Sequence, residues 1–88
     1  MEMKTEKYLL KLGINPSFIG FKYLSYAIDI CRNDRNMLYN RNSVLYNIIC
    51  NDLKISKSAL IRSMQYAIES TQKIPLGEFL ARSVIELG

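Results

Sequence analysis

The sequence predicts an all-α fold, a small five- or six-helix bundle containing a helix-turn-helix. Three observations predict it. Apolar residues recur at three- and four-residue spacing through five segments, the period of helices that bury one face. No segment alternates apolar and polar residues as a half-buried strand does. Residues that start or stop helices lie at the junctions between the segments. A chain of 88 residues, 49% of them apolar, makes a single domain over 1–88 with one modest core.

The first helix is expected over 5–12, with Thr5 as its cap and Gly13 as its stop, and Ile14 packing back on the last turn. Asn15 and Pro16 then supply a cap and a first-turn proline for a long helix over 17–33. Gly20, Leu24, Ala27, Ile28 and Cys31 share one face of it. A glycine inside a helix costs about 1 kcal/mol relative to alanine. Close approach of another backbone would account for Gly20, and so would plain tolerance of a glycine there.

The stretch RNDRNMLYNRN is polar, with only Met37, Leu38 and Tyr39 to bury, and predicts a short helix or turn around 34–38 followed by a loop over 40–42. A helix over 43–53 comes next, capped by Asn42 or Ser43, with Val44, Leu45, Ile48, Ile49 and Leu53 on one wide stripe. Ser56 is a good cap for a helix over 57–72 that turns Leu60, Met64, Ala67 and Ile68 inward. Pro75 breaks the pattern. A last amphipathic helix over 78–87 turns Phe79 or Leu80, Val84 and Leu87 to the core.

Several function classes fare badly. The chain has no histidine, so the commonest general base is missing, and its eight acids are scattered. No glycine-rich phosphate loop is present. Ser56, Lys57 and Ser58 suggest capping rather than a catalytic Ser–Lys pair, because neighbours at a helix start point in different directions. No enzyme, cofactor or small-molecule substrate is expected. Cys31 and Cys50 lie in helical patterns without a CxxC pair and read as reduced core residues in a cytoplasmic protein, not metal ligands. No run of about eighteen apolar residues is available to span a membrane. The N-terminus lacks the long apolar region and small-residue cleavage site of a signal peptide.

Charge placement is more informative. The net charge is +4, and all of the excess lies between Lys22 and Arg62, where seven bases face three acids. A basic zone of this kind fits a polyanion. Within it, NDLKISKSALIRSM supplies the parts of a helix-turn-helix at about 43–72: Ile49 with small Cys50, then Leu53, Ile55 in the corner, and Leu60 and Met64 on the second helix. Lys54 stands where glycine is common, which predicts a turn built differently. The outward residues of the second helix are Lys57, Ser58, Ala59, Ile61, Arg62 and Gln65.

The order LGINPSFIGFKYLSYAIDICRND…VLYNIICNDLKISKSALIRSMQYAIE resembles the C-terminal effector domain of the sporulation initiation response regulator, stage-zero sporulation protein A. The resemblance runs without a gap from about Leu12 to Glu69. It is carried by Gly13–Ile14; by Gly20, Tyr23, Leu24, Ala27 and Ile28; by Asn33–Asp34 and Val44–Leu45–Tyr46; and by Ser58, Arg62 and Ala67–Ile68–Glu69. It implies an all-helical DNA-binding transcription-factor domain whose recognition helix begins near Lys57. The family's receiver domain is not expected in this chain. By this resemblance a helix that follows the family's recognition helix is deleted, with KIPLGEFLARSVIEL resuming the final one. Ala59 and Ile61 stand where the family carries charged, DNA-reading residues.

The expected partner is therefore double-stranded DNA, bound by one copy or by a homodimer. Lys57, Ser58, Arg62 and Gln65 are the candidates to read bases, and Asn42, Ser43, Lys54 and Ser56 to hold phosphates. The rival expectation is a protein-interaction or dimerisation module that keeps the fold without DNA binding and presents Ala59 and Ile61.

Overall fold

The computed structural model describes residues 4–88. The expectation that the N-terminus is no signal peptide falls partly on Met1, Glu2 and Met3, outside the described residues. Five α-helices follow one another: α1 (Lys4–Lys11), α2 (Ile19–Asn33), α3 (Tyr46–Leu53), α4 (Lys57–Glu69) and α5 (Leu76–Leu87). A 3₁₀ turn, Arg35–Tyr39, and a π turn, Arg41–Leu45, link α2 to α3. The described residues contain no strand.

The first helix ends as its sequence requires. Gly13 takes a left-handed φ of 89°, which a side chain would disfavour. Its N–H donates to the Leu10 carbonyl, and the Ile14 N–H to that of Leu9. This double closure seats Ile14 in the core. Thr5 does something other than the expected capping. It lies inside α1, buried, and its hydroxyl donates to the Asp29 carboxylate of α2.

Helix α2 is the hub, packing against each of the other four helices. It starts at Ile19, later than expected, because Asn15 and Pro16 form a turn of their own. The Asn15 side chain accepts from the Ser17 N–H at 2.9 Å, and its carbonyl accepts from Phe18. Leu24, Ala27, Ile28 and Cys31 are fully buried with Leu45, Ile49, Leu60, Met64 and Ile68. Each such leucine or isoleucine contributes about 1.5–3 kcal/mol over an exposed one. Leu53 is half-buried at the rim. No buried side-chain polar atom among the described residues lacks a partner.

Three other expectations change. Tyr39 is 84% exposed rather than buried, since the 3₁₀ turn carries it outward. Asp34 caps that turn, accepting from the Asn36 N–H at 3.0 Å. Residues 40–45 are not a loop and a cap: the Val44 and Leu45 amides both donate to the Asn40 carbonyl, opening a π turn. This wider turn leaves Val44 and Ile48 on the surface and buries Leu45 and Ile49 alone of the expected stripe's first four residues. Helix α4 ends at Glu69 because the Ser70 and Thr71 hydroxyls fold back onto the carbonyls of Ala67 and Ile68.

Gly20 is where α2 and α4 meet. A Cβ there would stand 2.1 Å from the Ser63 carbonyl oxygen and 2.9 Å from the Ala67 Cβ. The approach is backbone to backbone, so no side-chain rotation relieves it. Gly20→Ala is expected to lower stability by about 1–3 kcal/mol, overpacking outweighing the gain of about 1 kcal/mol in helix propensity. Denaturant unfolding checks this, and an unchanged midpoint would mean that the two helices do not touch there.

Candidate nucleic-acid interface

Helices α3 and α4 are joined by Lys54, Ile55 and Ser56. Lys54 adopts the left-handed conformation, φ 59° and ψ 47°, and its N–H donates to the Cys50 carbonyl. The Ile55 N–H reaches the same carbonyl at 3.2 Å, and the Ile55 side chain packs on the core rim. The expectation of a differently built turn is thus corrected. Lysine takes the glycine-like conformation, and the two bonds and the Ile55 contact offset its cost of about 1–2 kcal/mol. Ser56 then caps α4, its hydroxyl accepting from the Ala59 N–H at 3.2 Å.

The face of α4 away from the core presents Ser58 and Arg62, both exposed, with exposed Lys57 at the first turn. The Lys57 ammonium donates to the Asn42 carbonyl at 2.9 Å and so ties α4 to the π turn. That contact brings together Lys57, Asn42 and the neighbouring Ser43, three of the residues singled out from the sequence. Asn42 and Ser43 lie within the π turn, so neither caps a helix as expected. Lys54 is exposed at the corner.

Gln65 is placed differently from its expected role as a base reader. Its Nε2 donates to the Ile74 carbonyl at 3.0 Å, and its Oε1 accepts from the Leu76 N–H at 2.9 Å. The amide therefore clamps the link into α5, and by satisfying a first-turn N–H it lets α5 begin directly after Pro75, two residues before the expected start. Ala59 and Ile61 are half-buried rather than free, with Ile61 packed against the core.

The basic zone is smaller than its residue count. Arg41 donates to the Leu38 carbonyl at 2.9 Å and lies over Gly77, within 2.5 Å of where a Cβ would stand. Arg32 bonds the Thr5 hydroxyl at 3.3 Å and pairs with Asp29 at 3.9 Å. These two bases hold the fold. Lys22, Arg35, Lys54, Lys57 and Arg62 remain exposed.

Sequence reasoning missed Tyr66. It is 64% exposed, one helical turn beyond Arg62, and its ring meets Phe18 at 5.2 Å between centroids with planes tilted by 59°. The i, i+4 relation to Arg62 was the signal available.

Burial pushes the Cys31 thiol up to about 11, which leaves it protonated and inert near neutral pH. Burial also raises Tyr46, beside the Arg41 guanidinium. A hydrogen bond to the Asp52 carboxylate, 2.6 Å long, raises Tyr26. No group of histidine, cysteine or acidic side chains among the described residues could hold a metal ion.

A family model, sporulation initiation factor Spo0A C terminal, matches residues 5–81. The chain belongs to this family. The family is one of helical, DNA-binding domains of sporulation regulators, regulatory rather than catalytic. No individual curated protein matches the chain. The match extends the resemblance carried by residues 12–69 into α1 and through the first half of α5. No helix of the described residues is long and apolar enough to cross a membrane.

Two substitutions test the local accounts. Lys54→Gly is expected to stabilise the fold by about 0.5–1 kcal/mol, the relief of a left-handed side chain less the entropy of glycine; a loss of stability on thermal or denaturant unfolding would contradict the turn geometry. Gln65→Ala should cost about 1–2 kcal/mol, because the Ile74 carbonyl and Leu76 N–H lose their partners. Unchanged stability with weakened duplex binding would return Gln65 to a base-reading role.

Proposed function

We propose that this chain binds double-stranded DNA sequence-specifically as a small transcriptional regulator of sporulation. In this reading α3, the Lys54–Ile55–Ser56 turn and α4 act as a helix-turn-helix, and α4 enters the major groove. The observation that carries it is the division of α4 into two faces. Leu60, Met64, Ala67 and Ile68 are fully buried, while Ser58 and Arg62 stand free on the other side with Lys57 at the helix start. Membership of a DNA-binding family supports the same reading.

The roles follow from chemistry. Arg62 carries the planar donor fork that matches the O6 and N7 edge of guanine. Ser58 sits a turn earlier as a small donor or acceptor. Lys57 and Lys54 hold phosphates, with Asn42 and Ser43 beside Lys57 on the π turn. Lys57 exchanges its carbonyl partner for a phosphate oxygen at little cost, since both ends of that bond are exposed. A homodimer on a two-part site is compatible with this arrangement. The rival, an interaction module using Ala59 and Ile61, draws less support, because both residues are already half covered by their own fold.

Arg62→Ala tests the proposal. It is expected to weaken a preferred duplex by about 1–3 kcal/mol while leaving random-duplex binding nearly unchanged. Lys57→Ala should weaken both alike and reduce the slope of log affinity against log salt by about one. Mobility-shift titrations at two salt concentrations read both effects. If neither substitution alters duplex affinity, DNA binding by this face is wrong.

A further inference from the structure

A groove of about 520 Å³ opens between α1 and α5 and shares no lining residue with the outer face of α4. Tyr8, Leu12, Ile74 and Phe79 give it an apolar lining, and α5 borders it with Arg82, Ile85 and Glu86. Ile85 is 69% exposed, the most of any large aliphatic side chain among the described residues. Arg82 and Glu86 stand one helical turn apart, yet the ion pair that forms joins Arg82 Nη2 to Glu78, at 2.7 Å. Among the described residues Glu86 has no ion pair, and the rest of the Arg82 guanidinium keeps free donors.

These charges select what can cover the groove. An anionic ligand meets Glu86 and Glu78, and a cationic one meets Arg82. A match needs both signs, spaced as Arg82 and Glu86 are and running the opposite way, beside an apolar side chain. Helix α5 itself supplies that pattern when a second copy is turned about a two-fold axis. Antiparallel helices centred near Val84 set Arg82 of each copy against Glu86 of the other and bring the two Ile85 side chains together. We propose that this chain forms a two-fold dimer through α5 and the α1–α5 groove, without DNA. Burial of Ile85 and the apolar lining drives the contact, and the two rim ion pairs fix its register. One helix and one groove are a small surface against the about 800 Å² per partner of a standard interface, so association depends on concentration.

The test uses the two-fold symmetry. Sedimentation equilibrium of the full chain from about 10 μM to about 1 mM is expected to show a monomer passing into a dimer. Ile85→Asp should weaken that dimer about tenfold by placing two carboxylates at the axis. Arg82→Glu and Glu86→Arg should each do the same, because each sets two like-charge pairs across the contact. All three side chains are exposed, so circular dichroism and thermal unfolding should show the monomer fold intact. Mixed in equal amounts, the Arg82→Glu and Glu86→Arg chains should associate again with nearly wild-type affinity, since every contact then joins opposite charges. A loss of folding cannot produce that recovery. A wild-type chain that stays monomeric throughout would overturn the proposal. So would single variants that dimerise like the wild type, or a mixture that stays monomeric. None of these residues lies on the outer face of α4, so the result is independent of DNA binding by that face.

Discussion

The contact between Gly20 and the Ser63 carbonyl is the constraint on which the rest of this structure depends. Helix α2 touches every other helix, and its approach to α4 is so close that a single methyl group would collide with main chain. Because backbone cannot rotate away, the contact fixes the separation of the two helices and which side of α4 turns inward. Ser63 and Ala67 face α2, Leu60, Met64 and Ile68 fill the core, and Arg62 is left outside. The same approach brings Phe18 against Tyr66 at the edge of the outer face. The orientation of the outer face of α4 is therefore set from behind, by a glycine on another helix.

Polar residues in this small domain serve the fold before they serve a ligand. Gln65, Arg41 and Arg32 all bind backbone or side-chain partners within the chain. With about 88 residues a core is only marginally sufficient, so side-chain clamps on links and turns matter more than in a larger protein. The link from α4 to α5 illustrates this. It is short, and the Gln65 amide satisfies the Ile74 carbonyl and the helix-start N–H of Leu76 on either side of Pro75. A single side chain closes the connection.

The same economy narrows the chemistry of the outer face. Ala59 and Ile61 replace charges that the family resemblance leads one to expect, and Gln65 is withdrawn into the fold. Arg62 then shares the outer face with Ser58, Ile61, Tyr66 and Glu69. In the proposed reading, one charged fork, Arg62, carries most of the polar contact that this face can offer to base edges.

The sequence by itself determined the helical class, all five helix positions to within a few residues, most of the core, and the family. These rest on local rules: apolar period, a left-handed glycine at 13, a serine cap at 56, and residues in register from 12 to 69. Local rules also marked Gly20 as anomalous and offered backbone approach or plain tolerance as the reason, and the packing of α2 on α4 decided for the first. What they could not decide was the destination of each polar side chain. Gln65 and Arg62 lie on the same helix side by period alone, yet one meets the 74–76 backbone and the other meets solvent, because only the packing of α5 separates them. The π turn before α3 likewise rotated Val44 and Ile48 outward, since one wider turn shifts the phase of every residue beside it. Lys54 took a conformation its own chemistry disfavours because the corner between two packed helices demanded it. Tertiary structure decided these points for one physical reason: hydrogen-bond partners and helix phase depend on neighbours distant in sequence, whereas helix propensity and periodicity do not.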